Sequence, residues 1–99
     1  KVGHEMHGII TGVESFGMFV QGIEIPAEGF VPIANLPDDN YFYDEKARLL
    51  MGRMSRNQYR LGDRVHVRVH RVDLIRRQLD LVLLEPEQPK KRRSKQRRS

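Results

Sequence analysis

Ser15-Phe16-Gly17-Met18-Phe19-Val20 is the stretch on which the reading of this 99-residue chain turns. Two phenylalanines flank a glycine in a chain that holds only four Phe, three Tyr and no Trp. Glu28-Gly29-Phe30-Val31-Pro32-Ile33-Ala34-Asn35-Leu36 follows closely. Together these segments predict aromatic rings displayed on a small β-barrel, a surface on which unpaired bases can stack.

Working outward, strand signals dominate. Glu5 to Val13 carries apolar residues broken by Gly8 and Gly12, which suits a strand coiling around a barrel corner. Phe16 to Ile25 reads as a second strand and Gly29 to Ile33 as a third. In Arg64 to Val72, Val65, Val67 and Val69 alternate with His66, Arg68 and His70, a half-buried strand with a basic outer face. Val72 falls one residue out of step, as a β-bulge would make it do. Gln78 to Leu84 is a fifth strand, with Leu79, Leu81 and Leu83 on one face. The insert at 37–63 leaves two readings open. Asp44 to Met51 suits a short helix, with Asp44 as N-cap and Gly52 past its end. It suits equally one arm of a hairpin returning through Asn57 to Leu61. Leu61-Gly62-Asp63 turns the chain into the fourth strand.

Five short strands with a long connection before the fourth predict an all-β, five-stranded oligonucleotide-binding barrel (OB fold) over 1–85. Residues 86–99 form a separate Lys/Arg-rich tail. Residues 90–99 hold seven of the 18 basic residues and no acid, which leaves 11 bases against 13 acids in the rest, a net of −2. The overall +5 is therefore a property of the tail. With nothing apolar to bury, the tail is expected to be disordered in the free protein. The absence of Cys excludes disulfides, thiolate catalysis and Cys-ligated zinc, and fits a reducing, cytoplasmic setting. No apolar run approaches the roughly 18 residues that cross a bilayer. A strand-like start at Lys1 without Met reads as a monomeric piece of a longer protein.

Gly8-Ile9-Ile10, Phe16-Gly17-Met18-Phe19-Val20, Glu28-Gly29-Phe30-Val31 and Val72-Asp73 resemble the RNA-binding repeat of ribosomal protein S-one across nearly all of residues 3–84. Tyr41-Phe42-Tyr43-Asp44, Leu50-Met51-Gly52 and Tyr59-Arg60-Leu61-Gly62-Asp63-Arg64-Val65 are similar to the carboxy-terminal domain of the ribonuclease R family. That resemblance implies single-stranded RNA as partner and a parent enzyme that degrades RNA hydrolytically from its 3′ end. It further implies upstream nuclease and cold-shock-like domains, with a divalent metal, Mg, in the catalytic one. No cofactor and no catalytic constellation are expected in this chain. The alternative reading is an RNA-binding adaptor domain of a ribosome- or transcription-associated protein.

The resemblance assigns Phe16 and Phe19 as base-stacking residues. Residues three apart in a regular strand point to opposite faces, so sharing a face needs a deviation, which Gly17 makes cheap. From pattern alone, one or both rings read equally well as core. Where the family usually has a His, Pro32 stands, offering a ring but no donor, which implies weaker affinity. Asp73 with Arg76 or Arg77 occupies the connection between strands four and five. There the family places an Asp and an Arg on RNA, and Arg77 is the better match. The plain alternative is a polar turn whose backbone Asp73 orients. His66 and Arg68 read as a solvated face brushing phosphates rather than as metal ligands. Adjacent Asp38 and Asp39 read as capping or solubility. Tyr41, Phe42, Tyr43 and Tyr59 read as the insert's own packing. Lys90, Lys91, Arg92 and Arg93 open the tail, expected to act as an RNA arm. Seven phosphate contacts would give a salt slope of about −5.

Overall fold

The computed structural model describes residues 2–37 and 39–84. Eight strands form: β1 (Glu5–Glu14), β2 (Gly17–Gly22), β3 (Glu28–Pro32), β4 (Tyr41–Asp44), β5 (Leu49–Gly52), β6 (Gln58–Arg60), β7 (Arg64–Asp73) and β8 (Gln78–Leu83). Five of them close a barrel in the order β1-β2-β3-β8-β7, and β4-β5-β6 make a separate three-stranded sheet. Every pairing is antiparallel except β3 with β8, which run parallel. This is the OB-fold barrel that the strand pattern predicts.

Alternation fills the barrel. Met6, Ile10 and Val13 from β1, Met18 and Val20 from β2, and Val31 from β3 point inward. Val67 and Val69 from β7 and Leu81 and Leu83 from β8 complete the core. Each fully buried side chain of this kind contributes about 1.5–3 kcal/mol. The ladder slips between Ile10 and Gly12 on β1 and between Val69 and Arg71 on β7. The second slip is the bulge that Val72 signals in the sequence. One extra residue on each long strand sharpens its bend and lets five strands close.

The insert folds as a meander, and the helix reading of Asp44 to Met51 does not hold. Arg48 N–H donates to the carbonyl of Asp44 at 2.7 Å, and the chain reverses at once. Leu49 to Gly52 then pairs with β4 on one side and β6 on the other. An eight-residue helix gains too few internal hydrogen bonds to compete with two ladders and the full burial of Leu50. The hairpin reading is the correct one, extended by a third strand at Tyr41–Asp44. Leu50 and Tyr59 join the barrel core, and Tyr41 and Tyr43 pack against it. Phe42 turns away from the core, with the Arg53 guanidinium 4.6 Å above its ring.

Asp39 ties the meander to the connection before it. Its carboxylate accepts from Asn40 N–H (2.6 Å), Met54 N–H (3.2 Å), Ser55 N–H (2.8 Å) and Ser55 Oγ (2.7 Å). Asp38 lies outside the described residues. Donation from Ser55, hydroxyl first and then backbone, holds the Asp39 carboxyl at about 2 instead of the usual 3.8. The folded carboxyl is more acidic than the unfolded one, so its contribution is complete above about pH 4. It is lost as pH falls through about 2. In an NMR titration, the Met54 and Ser55 amide shifts should move with a midpoint near 2. A midpoint near the ordinary Asp value would show that the clamp does not form.

Candidate nucleic-acid interface

The outward side of β2 and β3 carries a row of three rings. Phe19 on β2 stands directly across from Phe30 on β3, with ring centroids 4.9 Å apart. Phe16, in the turn before β2, approaches Phe30 from the other side at 5.6 Å. Phe16 is 58% exposed, which excludes the core reading for it. Phe19 and Phe30 are half-buried, each resting on its neighbours with part of the ring open.

Glycine makes this row possible. Gly17 has a φ of +155° and is paired with Pro32. A Cβ there would strike the carbonyl oxygen of Val31 and come within 2.6 Å of Phe30 Cζ. The Phe30 ring therefore occupies the space a side chain at 17 would take. Phe16 and Phe19 are gathered by their shared neighbour Phe30. Gly12, across from Phe19 on β1, likewise leaves its surface to the Phe19 ring.

The β7–β8 turn supplies the polar edge. Arg76 and Gln78 border the hollow formed by Phe16, Phe19 and Phe30. A second hollow beside it is lined by Phe30, Pro32, Arg71, Asp73, Arg76 and Gln78, among others. Asp73 Oδ1 accepts from Arg76 N–H at 3.1 Å, and its Oδ2 lies 3.9 Å from Arg76 Nε. Asp73 thus shapes the turn, while the Arg76 side chain stays 78% exposed beside the rings. Arg71 pairs with Asp80 at 3.5 Å.

Arg77 goes elsewhere. Its φ of +56° swings it to the other side of the turn, into a hollow with Pro26, Ala27, Glu28 and Leu74. His66 and Arg68 also stand apart, on the outer face of β7 beside β1, where they lie opposite His7 and Glu5. His66 stacks on His7 at 4.6 Å and its Nε2 lies 3.2 Å from Glu5 Oε1. His7 Nδ1 meets Glu24 Oε2 at 3.0 Å, and hydrogen bonds from the His7 side chain and backbone hold the Glu24 carboxyl below its usual range. Among the described residues, no group of three or more His, Cys, Asp or Glu side chains is placed to hold a metal ion. Lys90, Lys91, Arg92 and Arg93 lie outside the described residues.

Sequence reading missed Phe30 and Gln78 as site residues. Phe30 had a usable signal: with Val31 inward, alternation turns Phe30 outward onto the face of Phe19. Gln78 had none, because only the closed turn brings it to the rings.

A family model described as the S1 RNA binding domain matches residues 1–83. A Synechocystis protein named acetazolamide conferring resistance protein zam is 46% identical over 81 residues, which cover 82% of this chain and 10% of that protein. Ribonuclease R of Aquifex aeolicus is 45% identical over 85 residues, covering 86% of this chain and 12% of the enzyme. For ribonuclease R of Escherichia coli the match is 39% over 87 residues, covering 88% and 11%. Among solved structures, RNase R of Mycoplasma genitalium superposes with a TM-score of 0.76 at 29% identity. The superposition covers 84% of this chain and 13% of that one, both in the apo form and in complex with ribose-methylated single-stranded RNA. The chain thus spans about a tenth of the length of the relatives it matches. With a barrel closed in OB order and a family match from end to end of it, the chain belongs to the S1 RNA binding domain family.

Proposed function

We propose that this domain holds single-stranded RNA, largely without regard to sequence, for a 3′–5′ exoribonuclease of the ribonuclease R type. The observation that carries the proposal is the row Phe16–Phe30–Phe19 with Arg76 and Gln78 at its edge. Ring faces accept any unpaired base, and a base locked in a duplex cannot reach them, so the row selects single strands. Each stacked base contributes about 1–3 kcal/mol. The Arg76 guanidinium stacks on a base or bridges phosphate oxygens. Arg76 takes this role rather than Arg77 because it borders the rings. Pro32 adds an apolar edge without a donor. His66 and Arg68, on the other face, meet the backbone of a longer strand at most.

The similarity to ribonuclease R sequences and to an RNase R in complex with ribose-methylated single-stranded RNA supports the enzymatic setting. In that setting the placement is carboxy-terminal, in a cytoplasmic protein. Nuclease and cold-shock-like domains and the divalent metal of hydrolysis belong to the parent chain outside these residues, and this domain contributes capture. The cations of residues 90–99 add a phosphate-seeking arm whose strength depends on salt.

Two measurements test the proposal. Phe16→Ala should weaken binding of a ten-residue oligoadenylate about fivefold or more, from the loss of one stacked base. Phe30→Ala should cost at least as much, because both outer rings lose their neighbour. The salt slope should stay as it is in both. Unchanged affinity in variants whose circular dichroism is native would rule out stacking on this row. Deleting residues 90–99 should make the slope shallower by up to about 5. A slope that does not move would show that the tail takes no part.

A further inference from the structure

Arg48 sits where arginine is a poor choice. It closes the β4–β5 turn with a φ of +57°, in the left-handed region that glycine and asparagine occupy most easily. Glycine at this position would relieve backbone strain. Among the described residues Arg48 makes no ion pair and no side-chain hydrogen bond. Arg71 and Arg76 face carboxylates, Arg60 bonds Gln58, and Arg53 lies over Phe42. Arg56 and Arg77 share the positive φ of Arg48, and what sets Arg48 apart is the cleft it lines. Strain held at a residue without a structural partner directs attention to what lies outside the fold.

Its surroundings show what that is. Arg48 lines an open cleft between the β1 strand and the insert, together with Thr11, Gly12, Glu14, Tyr43 and Leu61. Gly12 is also the residue beneath the Phe19 ring: a Cβ there would lie 3.2 Å from Phe19 Cδ2. The aromatic row and this cleft therefore share Gly12.

We propose that this cleft, which Tyr43 and Leu61 also line, is a second RNA subsite, in which Arg48 holds a phosphate of nucleotides that extend past Phe19. The inference rests on the reading of the aromatic row as a base-stacking surface. Glu14 borders the same cleft and works against a phosphate there, so it limits the affinity of the subsite.

Oligoadenylates of three and ten residues, titrated against the whole 99-residue chain, separate the two sites. For Arg48→Gly, decamer binding should weaken about threefold, the size of one exposed ion pair, and the salt slope should fall by about 0.7. Trimer binding should stay as it was, and the melting temperature should hold or rise, because glycine relieves the turn. Glu14→Gln should strengthen decamer binding and leave the trimer alone. Unchanged decamer affinity and slope for Arg48→Gly, against a wild type that binds, overturn the subsite and leave the aromatic site standing. Equal weakening of trimer and decamer overturns it too, since Arg48 would then act through the rings. A wild-type chain that binds neither oligomer overturns the stacking reading and the subsite with it.

Discussion

The barrel depends on its shortest seam. β3 and β8 meet in parallel through only two register pairs, Gly29 with Leu79 and Phe30 with Asp80. Without that seam the sheet would end in two unpaired edges. Gly29 allows it: a Cβ there would press within 2.5 Å of Leu81 Cδ1, inside the core that Leu81 fills. The residue next to this glycine is Phe30, the ring on which Phe16 and Phe19 both lean. Closure and display thus meet at neighbouring positions. The seam fixes β3, alternation turns Phe30 outward, and the space above Gly17 receives its ring.

This arrangement explains how rings three residues apart come to share one surface. A strand cannot bring Phe16 and Phe19 to the same face by itself. Phe16 lies outside β2, in the turn, and Phe19 lies within it. Gly17 between them has given up its side chain to a ring from another strand. The glycine bends the chain, and it also empties the place where the third ring sits. Register sets Phe19 beside Phe30 at 4.9 Å, and the missing Cβ at Gly17 leaves room for the Phe30 ring that Phe16 approaches at 5.6 Å.

Much of this was legible in the residues. The alternation of Val65, Val67 and Val69, the slip at Val72 and the Leu79–Leu81–Leu83 face give two of the five barrel strands, because period two is a direct image of one buried side. The insert was not legible: Asp44 and Gly52 carry helix-end chemistry, and only the two-sided pairing of Leu49–Gly52 outweighs it. Nor was the choice between Arg76 and Arg77. Both are exposed arginines in one turn, and the backbone sign at position 77 sends them to opposite sides. His66 and Arg68 show the same limit. Alternation reads them as outward, but which outward face they share depends on β1 lying beside β7, and that is a fact of closure.

Arg48, Arg56 and Arg77 are the non-glycine residues with positive φ among the described positions, and each closes a tight turn. Such positions favour glycine or asparagine, whose small side chains tolerate the left-handed backbone. An arginine there gives up some stability and gains direction. Arg77 takes the strained position, and Arg76 keeps a backbone from which Asp73 holds its N–H while its side chain borders the rings. The turn thus sorts two identical side chains by backbone sign, one toward the aromatic face and one away from it. Strand periodicity carries no such information, which is why the polar edge of the ring row is set by the β7–β8 turn.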